Sequence, residues 1–323
     1  MKYLKYFPTE AEYNAFIQSE DFILPNVSYA VDADSVFYNI VKTESGDYKI
    51  YLLEKKDISG LTYNMIDLGL PSGLLWADRN IGAEAPEDFG TMFAWGETEG
   101  YNASIKYCTA AELCSYMQLI VGNEMELTPD NIDEILFEGW GITDKDMTSI
   151  GQGLGTDKCF SSDWSDYFDT TDSGETFNKY NTDGGLTVLQ PEDDAATVNM
   201  GSDYRMPTKI EFEELINNCT VTFIDLQGNE FSKEEVQSGA TLVYNLKGIK
   251  FTSSNGNSIF ISASGYCFDS ILEGVSCTGY LWFSNLYKYA WGAYHFYLNC
   301  DGDFYVGSMY RHFGQPARGV KVR

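Results

Sequence analysis

The sequence has few basic residues for its size. It carries 21 Lys and Arg against 48 Asp and Glu, a formal net charge of −27 at neutral pH. Proteins that bind nucleic acid concentrate Lys and Arg against the phosphates, and proteins that attach to anionic membranes place basic clusters at the lipid surface. The composition therefore argues against a nucleic-acid partner and against an anionic membrane surface.

The sequence also lacks a long apolar run. Its first residues, MKYLKYFPTEAEYNAF, contain neither the apolar core nor the small-residue cleavage site of a secretory signal. No stretch reaches the roughly 18 apolar residues that a membrane-spanning helix needs. We therefore expect no signal peptide and no insertion into a membrane.

Cysteine is sparse and unpatterned. The seven Cys residues form an odd set without a CxxC pair. Zinc knuckles and dense disulfide frameworks show themselves by paired spacings. We therefore expect mostly reduced, partly buried thiols.

Familiar catalytic signatures are missing as well. The sequence has no GxSxG, no HExxH and no phosphate-binding loop, so we expect no catalytic residue, no metal and no cofactor. Calcium is the alternative, because oxygen ligands are frequent in DWSDYFDTTDSGE (163–175) and in CDGD (300–303). Neither stretch has the spacing of an EF-hand loop.

The sequence does contain enough apolar material for a full core. At 323 residues and 44% hydrophobic, one or two domains are expected. We predict that residues 1–60 form a small β-rich attachment or adaptor segment. Residues 61–323 are expected to form the main domain, with an acidic insertion at about 100–190.

Thr9 with Glu12 predicts a capping box that opens a short helix over EAEYNAFIQS (10–19). IDLGLPSGLLWADRNIG (66–82) predicts a strand, a Pro-Ser-Gly turn and a second strand, with Trp76 as a core anchor. AAELCSYMQLIVGNEM and MPTKIEFEELINNC indicate helices, the second with a capping box of Thr208 and Glu211. A few helices among many short strands indicate the α+β class.

One stretch, WFSNLYKYAWGAYHFYLNCDGDFYVGSMYRHFG at 282–314, holds twelve aromatic rings and both histidines of the chain. Tyr is frequent in it, and a buried Tyr needs a partner for its hydroxyl. The order of residues 293–299 predicts a strand with Phe296 and Leu298 facing inward. His295, Tyr297 and Asn299 are then expected to face solvent.

We therefore predict a ligand-binding face in this stretch. Its rings would stack on a sugar or pack on a protein partner, and its polar side chains would supply hydrogen bonds. The candidate ligand-binding residues are Tyr287, Tyr289, Tyr294, His295, Tyr297, Asn299, Asp301, Asp303, Phe304, Tyr305, Ser308, Tyr310, His312 and Phe313.

Several motifs resemble, in order, those of the FISUMP (Fib-succ-major) family. They are IDLGLPSGLLWADRNIGAEAPEDFGTMFAWGETE (66–99), LQPEDDAATVNMGSDYRMPTKIEFEELINNC (189–219), GNSIFISASGY (256–266), GYLWFSN (279–285) and the closing YRHFGQPARGVKVR (310–323). The resemblance implies a C-type-lectin-like fold, similar to formylglycine-generating enzymes and to the variable proteins of diversity-generating retroelements.

Arg311 and Arg318 could be read as anion ligands, but the resemblance implies that both make structural salt bridges or backbone contacts. The resemblance also implies that residues 280–314 are a variable ligand-binding region. Adenine-directed mutagenesis of AAC or AAT codons can produce every candidate residue named above. It cannot produce Trp, Met or Lys, so Trp282, Lys288, Trp291 and Met309 would lie off the mutable codons.

The function expected from these features is non-enzymatic binding of a ligand or receptor, as a phage tail adhesin located in the virion. A bacterial surface or secreted adhesin is the first alternative, and a glycan-active enzyme using Asp193 and Asp194 is the second. Cys267 and Cys277 would be the thiols of a formylglycine-generating type of oxidase, but the motifs do not place a catalytic pair at them. The expected partner is a cell-surface protein or glycan, and a homo-oligomer such as a trimer is compatible with the sequence.

Overall fold

The computed structural model describes residues 6–7, 29–32, 35–43, 45–121, 126–133, 168–169, 176–177, 179–182, 185–240, 242–268 and 271–322. Strands dominate these residues and helices are few, which confirms the α+β class at that level. Among the described residues, no helix is both long and apolar enough to cross a membrane.

The strands are short and follow one another along the chain. They are β1 (Tyr6–Phe7), β2 (Tyr29–Asp32), β3 (Ser35–Lys42), β4 (Tyr48–Glu54), β5 (Met65–Asp67), β6 (Leu75–Ala77), β7 (Gly90–Phe93), β8 (Tyr101–Cys108), β9 (Phe168–Asp169), β10 (Thr176–Phe177), β11 (Tyr204–Arg205), β12 (Cys219–Asp225), β13 (Glu230–Phe231), β14 (Leu246–Ser253), β15 (Ser258–Ser262), β16 (Tyr266–Phe268), β17 (Ile271–Glu273), β18 (Thr278–Leu286), β19 (Gly292–Asn299), β20 (Phe304–Tyr310), β21 (Gln315–Pro316) and β22 (Val320–Lys321). The helices are α1 (Ala110–Val121), α2 (Ala195–Met200), α3 (Lys209–Asn218) and α4 (Lys233–Gln237).

The chain divides into two compact units, residues 1–55 with 103–157 and residues 56–102 with 158–323. The predicted segment 1–60 therefore shares a unit with part of the predicted acidic insertion, because β8 lies next to β4 in one sheet. The helix predicted over EAEYNAFIQS and most of the stretch DWSDYFDTTDSGE lie outside the described residues.

The first unit is built on β3. This strand pairs in parallel with β1 and antiparallel with β2 and β4. Residues 48–53 of β4 are all buried, so the strand is covered on both faces. Helix α1 begins with a capping box, in which Thr109 and Glu112 bond each other's backbone N–H groups.

The second unit begins with the predicted strand, turn and strand of residues 66–82. Strands β5 and β6 pair antiparallel, with Ile66 opposite Trp76. The turn between them uses Gly73 at φ +72°, a left-handed conformation that favours glycine. Trp76 is fully buried and anchors the core as predicted. Strand β22 then pairs with the other edge of β6.

The main core of the second unit gathers around Phe212 of α3. The helix starts at the predicted capping box of Thr208 and Glu211 and turns Phe212 and Leu215 inward. The Phe212 ring lies 4.8 Å from the Phe296 ring and 4.9 Å from the Phe283 ring, centroid to centroid. Helix α3 therefore packs against the sheet that carries the aromatic stretch.

A second cluster of buried side chains lies around two tryptophans. Trp95 Nε1 donates to the Phe283 carbonyl at 2.7 Å, and Trp282 Nε1 donates to the Phe93 carbonyl at 2.8 Å. Buried indole N–H groups need such acceptors. The reciprocal pair joins the segment after β7 to β18, next to the candidate site.

Candidate ligand-binding surface

The aromatic stretch forms a three-stranded antiparallel sheet with β19 between β18 and β20. A loop at 287–291 joins β18 to β19, and a turn at 300–303 joins β19 to β20. Side chains alternate between the two faces of a strand. One face of this sheet packs on the main core, and we call the opposite face the outer face.

The core-directed face confirms part of the sequence prediction. Phe296 and Leu298 are fully buried in the main core. Phe304 and Val306 of β20 lie opposite Leu298 and Phe296 in register and pack against the same core. The Phe304 ring is 6.1 Å from the Phe223 ring. Phe304, which we predicted as a ligand-binding residue, thus points to the core because it alternates with its outward neighbour.

The outer face carries a row of three tyrosines, one on each strand. Tyr280, Tyr297 and Tyr305 are directly opposite one another in register. Their ring centroids are 5.3 Å and 5.0 Å apart. Tyr280 is buried, Tyr297 is half-buried and Tyr305 is 52% exposed. This tyrosine row therefore opens towards solvent at the β20 edge.

The next row on the outer face consists of Trp282, His295 and Gly307. The prediction that His295 faces solvent is wrong, because the residue is only 3% exposed. Its ring lies 5.8 Å from the Trp282 ring, and its Nδ1 lies 3.0 Å from Gln315 Oε1. Burial lowers the pKa of His295 to about 4, so the imidazole is neutral at pH 7. We call these three residues the histidine row.

The polar candidates Asn299, Asp301 and Asp303 form the turn after β19. Asn299 Oδ1 accepts the backbone N–H groups of Asp301 and Asp303 at 3.1 and 3.0 Å. Asp303 Oδ1 accepts from Gln237 Nε2 at 3.2 Å. Asn299 is thus half-buried and engaged in holding the turn, whereas Asp301 and Asp303 are exposed.

Two cysteines close this end of the sheet. Cys277, before β18, and Cys300, after β19, form a disulfide with Cα atoms 4.8 Å apart. The prediction of reduced thiols is therefore wrong for this pair, which the strand pairing of Thr278 with Asn299 brings together. Cys108, Cys114 and Cys267 are buried free thiols, and Cys219 is half-buried.

A second group of rings surrounds the β18–β19 loop. Tyr289 stacks on Trp291 at 5.8 Å, and Trp291 lies 4.9 Å from Tyr310 of β20. The Tyr287 ring lies 5.1 Å from the Tyr294 ring. Ser308 is directly opposite Tyr294 in the β19–β20 register and is half-buried. Tyr289 and Tyr310 are 52% and 45% exposed. The loop thus places two solvent-exposed tyrosines around one half-buried tryptophan.

His312 and Phe313 connect the two groups. Phe313 lies 5.8 Å from Tyr310 and 5.5 Å from Tyr266, and Tyr266 lies 5.1 Å from Tyr280 of the tyrosine row. His312 is 4% exposed, and burial lowers its pKa to about 4. Every ring of this set touches another member, and we call the set the aromatic belt: Tyr266, Phe268, Tyr280, Tyr287, Tyr289, Trp291, Tyr294, Tyr297, Tyr305, Tyr310, His312 and Phe313.

Sequence reasoning missed four members of the belt, namely Tyr266, Phe268, Tyr280 and Trp291. Tyr280 could have been found from strand alternation, since it shares a face with Trp282 two residues later. Tyr266 and Phe268 lie on β16, and only the tertiary fold brings that strand to the tyrosine row. Trp291 is not among the candidates because a Trp codon cannot arise by adenine mutagenesis of AAC or AAT.

Few ionisable groups border the belt. The Tyr266 hydroxyl donates to Glu273, and burial raises the pKa of that carboxyl. Burial likewise raises the pKa of Tyr297, so its hydroxyl is protonated at neutral pH. Lys288 Nζ lies 5.0 Å from the Tyr289 ring centroid, a cation–π distance. Lys209 Nζ lies 4.6 Å from the Tyr294 ring centroid. The surface therefore presents neutral rings and hydroxyls flanked by the cations of Lys209 and Lys288.

The two arginines near this stretch make structural contacts, as predicted. Arg311 Nη1 donates to the Tyr180 and Ala290 carbonyls at 3.1 and 3.2 Å. Arg318 is fully buried and donates to Asn80 Oδ1 and the Phe260 carbonyl. Arg311 thus bonds to backbone carbonyls, and Arg318 bonds to a backbone carbonyl and a side-chain amide.

The residues of the enzymatic alternative are also engaged in the scaffold. Asp194 caps α2 by accepting from the Ala196 and Thr197 N–H groups, and it accepts from the Met206 N–H as well. Asp193 pairs with Lys179 at 2.6 Å. Cys267 is fully buried, and its pKa is raised by that burial. In the described part of the chain, no three His, Cys, Asp or Glu side chains gather as a metal site.

Comparison with known proteins gives no relative of this chain: no family model, no curated protein and no solved structure matches it.

Proposed function

We propose that this chain is a non-enzymatic ligand- or receptor-binding protein and that the exposed part of the aromatic belt is its recognition surface. The observation that carries the proposal is the exposure of Tyr289, Tyr305 and Tyr310 within one continuous set of touching rings. Tyrosine offers a large, rigid contact area at low conformational-entropy cost. Contiguous exposed apolar surface commonly marks a binding site.

The scaffold that we propose for this surface is a C-type-lectin-like domain of the FISUMP family, on the strength of the sequence motifs. Retroelement diversification of residues 280–314 is part of the proposal. Strand alternation supports it: on β19 Phe296 and Leu298 fill the core while Tyr297 faces outward, and on β20 Phe304 and Val306 pack on the core while Tyr305 faces outward. Residues on the outer face can change without altering the core-directed side chains.

The biological setting that we propose is a phage tail adhesin, whose partner is a cell-surface protein or glycan. A bacterial surface or secreted adhesin is the second candidate, and the Cys277–Cys300 disulfide favours it because disulfides persist in oxidising compartments. Neighbouring genes separate the two. Tail genes, or a reverse transcriptase with a template repeat, would support the phage setting, and a cell-wall or export operon would contradict it.

The direct test is a binding screen on a printed glycan panel and on fixed bacterial cells. The test variant changes Tyr289, Tyr305 and Tyr310 to Ala. The matched control changes Tyr107, Ile210 and Leu226 to Ala, since these are large hydrophobic residues, 64%, 75% and 44% exposed, that lie outside the belt. We expect binding by the wild type and the control and none by the test variant. Equal binding by all three folded proteins would reject the proposed surface.

A further inference from the structure

Gly307 leaves a gap in the β20 edge beside His295. The two residues are directly opposite each other in register. A Cβ built on Gly307 would lie 3.0 Å from His295 Nε2 and 3.1 Å from Tyr305 Cε2. Gly307 itself is half-buried at this edge strand. Any side chain at position 307 would therefore cover the edge of the imidazole that carries Nε2, and glycine leaves it uncovered. We call this gap the glycine notch.

The hydrogen bonding of His295 defines what Nε2 offers there. Nδ1 lies 3.0 Å from Gln315 Oε1, and an amide oxygen only accepts hydrogen bonds. With Gln315 Oε1 as the acceptor, Nδ1 carries the proton of the neutral ring and Nε2 carries a free lone pair. Among the described residues, Gln315 is the hydrogen-bond partner of His295 and none lies at Nε2. The His295 side chain is thus only 3% exposed, and its acceptor Nε2 faces the notch without a hydrogen-bond donor.

The surroundings of the notch restrict the ligand chemistry. The Tyr305 ring borders the notch on one side, and the Tyr297 ring lies 5.0 Å further along the tyrosine row. A fitting ligand group must donate a hydrogen bond, must be small and must be attached to a face that packs on an aromatic ring. A carboxylate or phosphate cannot donate to Nε2 when it is ionised. A sugar ring offers a hydroxyl donor next to an apolar C–H face.

We propose that the glycine notch is a carbohydrate subsite in which one sugar hydroxyl donates to His295 Nε2 while the sugar face packs on Tyr305. This inference rests on the proposed function and assigns its ligand class. His295 would be a specificity-determining residue, because sites built around a buried hydrogen-bonding group reject analogues that lack the matching donor. A deoxy sugar that lacks this hydroxyl is expected to bind far more weakly than its parent.

The first test is the tautomer, measured by NMR on protein labelled with ¹⁵N-histidine. The chain has two histidines, so a His312→Gln variant assigns the spectrum. We expect His295 to carry its proton on Nδ1 and to leave Nε2 unprotonated at pH 7. A proton on Nε2 would overturn the proposal, because the notch would then present a donor in place of an acceptor.

The second test titrates the labelled protein with methyl glycosides of glucose, galactose, mannose, N-acetylglucosamine and fucose. We expect at least one glycoside to shift the His295 Nε2 and the Tyr305 ring resonances together and saturably. In Gly307→Ala the new methyl group fills the notch, and affinity is expected to fall about tenfold or more as the hydrogen bond is lost. Thr220→Ala, an exposed change on β12 outside the belt, is the control and should bind as the wild type does.

The outcomes separate this subsite from the proposed function. Binding that shifts Tyr305 alone and survives Gly307→Ala would overturn the notch and leave the recognition surface standing. If no glycoside shifts either residue while the triple tyrosine variant loses cell binding, the carbohydrate assignment is wrong and the ligand is a protein. If the triple variant binds cells as well as the wild type, the recognition surface itself is wrong. An unfolding midpoint of Gly307→Ala close to that of the wild type would show that any loss of binding is not a loss of fold.

Discussion

The tyrosine row and the histidine row lie side by side on the outer face of the same three strands, yet they differ in exposure. Tyr280, Tyr297 and Tyr305 pass from buried to exposed towards the β20 edge. Trp282 and His295 are both buried, although they alternate outward in the same way. The reason is that Trp282 packs in the buried cluster around Trp95, and Gln315 lies against His295. Strand alternation decides the face of a residue, and packing by other elements decides its exposure.

The largest expected effect on stability comes from truncating Trp282 of the histidine row. Trp282→Ala removes a fully buried indole and its hydrogen bond to the Phe93 carbonyl. We expect the free energy of unfolding to fall by about 3–5 kcal/mol, the usual cost of truncating a buried aromatic. Urea unfolding at pH 7 measures this loss. A cost as small as that of an exposed tyrosine would show that the row is not covered in solution.

The next largest effect concerns the disulfide at the end of the tyrosine row. The Cys277→Ser, Cys300→Ser double variant opens a link between residues that are 23 positions apart. A loop of that size corresponds to about 3 kcal/mol of stability in the chain-entropy account. We expect the reduced wild type and the double variant to have equal free energies of unfolding, both lower than that of the oxidised wild type. A double variant as stable as the oxidised protein would show that the Cys277–Cys300 disulfide does not stabilise the fold.

A fall in pH should destabilise the folded protein through the buried His295 of the histidine row. The pKa of His295 in the folded protein is about 4, below its ordinary value of about 6.5, because burial disfavours the charged form. The unfolded chain therefore binds the proton first, and the stability that the neutral ring contributes is lost as the pH falls from about 6.5 towards 4. Linkage gives about 2 kcal/mol between pH 7 and pH 5.

The difference in pH slope between the wild type and His295→Gln measures this contribution, because the carboxylates are common to both proteins. We expect a shallower fall in the variant. Equal slopes would mean that His295 is solvated in the folded protein.

The smallest stability effect is expected at the open end of the tyrosine row. Tyr305 is 52% exposed and makes its ring contact with Tyr297. Tyr305→Ala should lower the free energy of unfolding by less than about 1 kcal/mol, as is usual for surface changes. A thermal melt beside that of Trp282→Ala checks the contrast, and a loss of several kcal/mol would place Tyr305 in the core.

Local patterns were sufficient to predict several elements. The capping box at Thr208 and Glu211, the Pro71-Ser72-Gly73 turn and the inward Phe296 and Leu298 depend on neighbours within a few residues, and the structure confirms each. Helix α1 is confirmed for the same reason. Such features need only local backbone preference and the period of the element.

The errors concern contacts between distant residues. His295 is buried because Gln315 lies beside it, and Phe304 reaches the core through the register of β19 and β20. Cys277 and Cys300 meet only because their strands pair. A single sequence carries the alternation of each strand, but it does not state which strand lies next to it or what covers the sheet.

Phe304 and Tyr305 offer the most direct test, since they are consecutive on β20 and face opposite sides of the sheet. The measurement is the unfolding free energy of Phe304→Ala and Tyr305→Ala, together with glycan-panel and cell binding per folded molecule. We predict that Phe304→Ala loses about 2 kcal/mol or more and keeps its binding, whereas Tyr305→Ala keeps its stability and loses binding. Equal binding losses in the two folded variants, or equal stability losses, would contradict the assignment of Phe304 to folding and of Tyr305 to recognition.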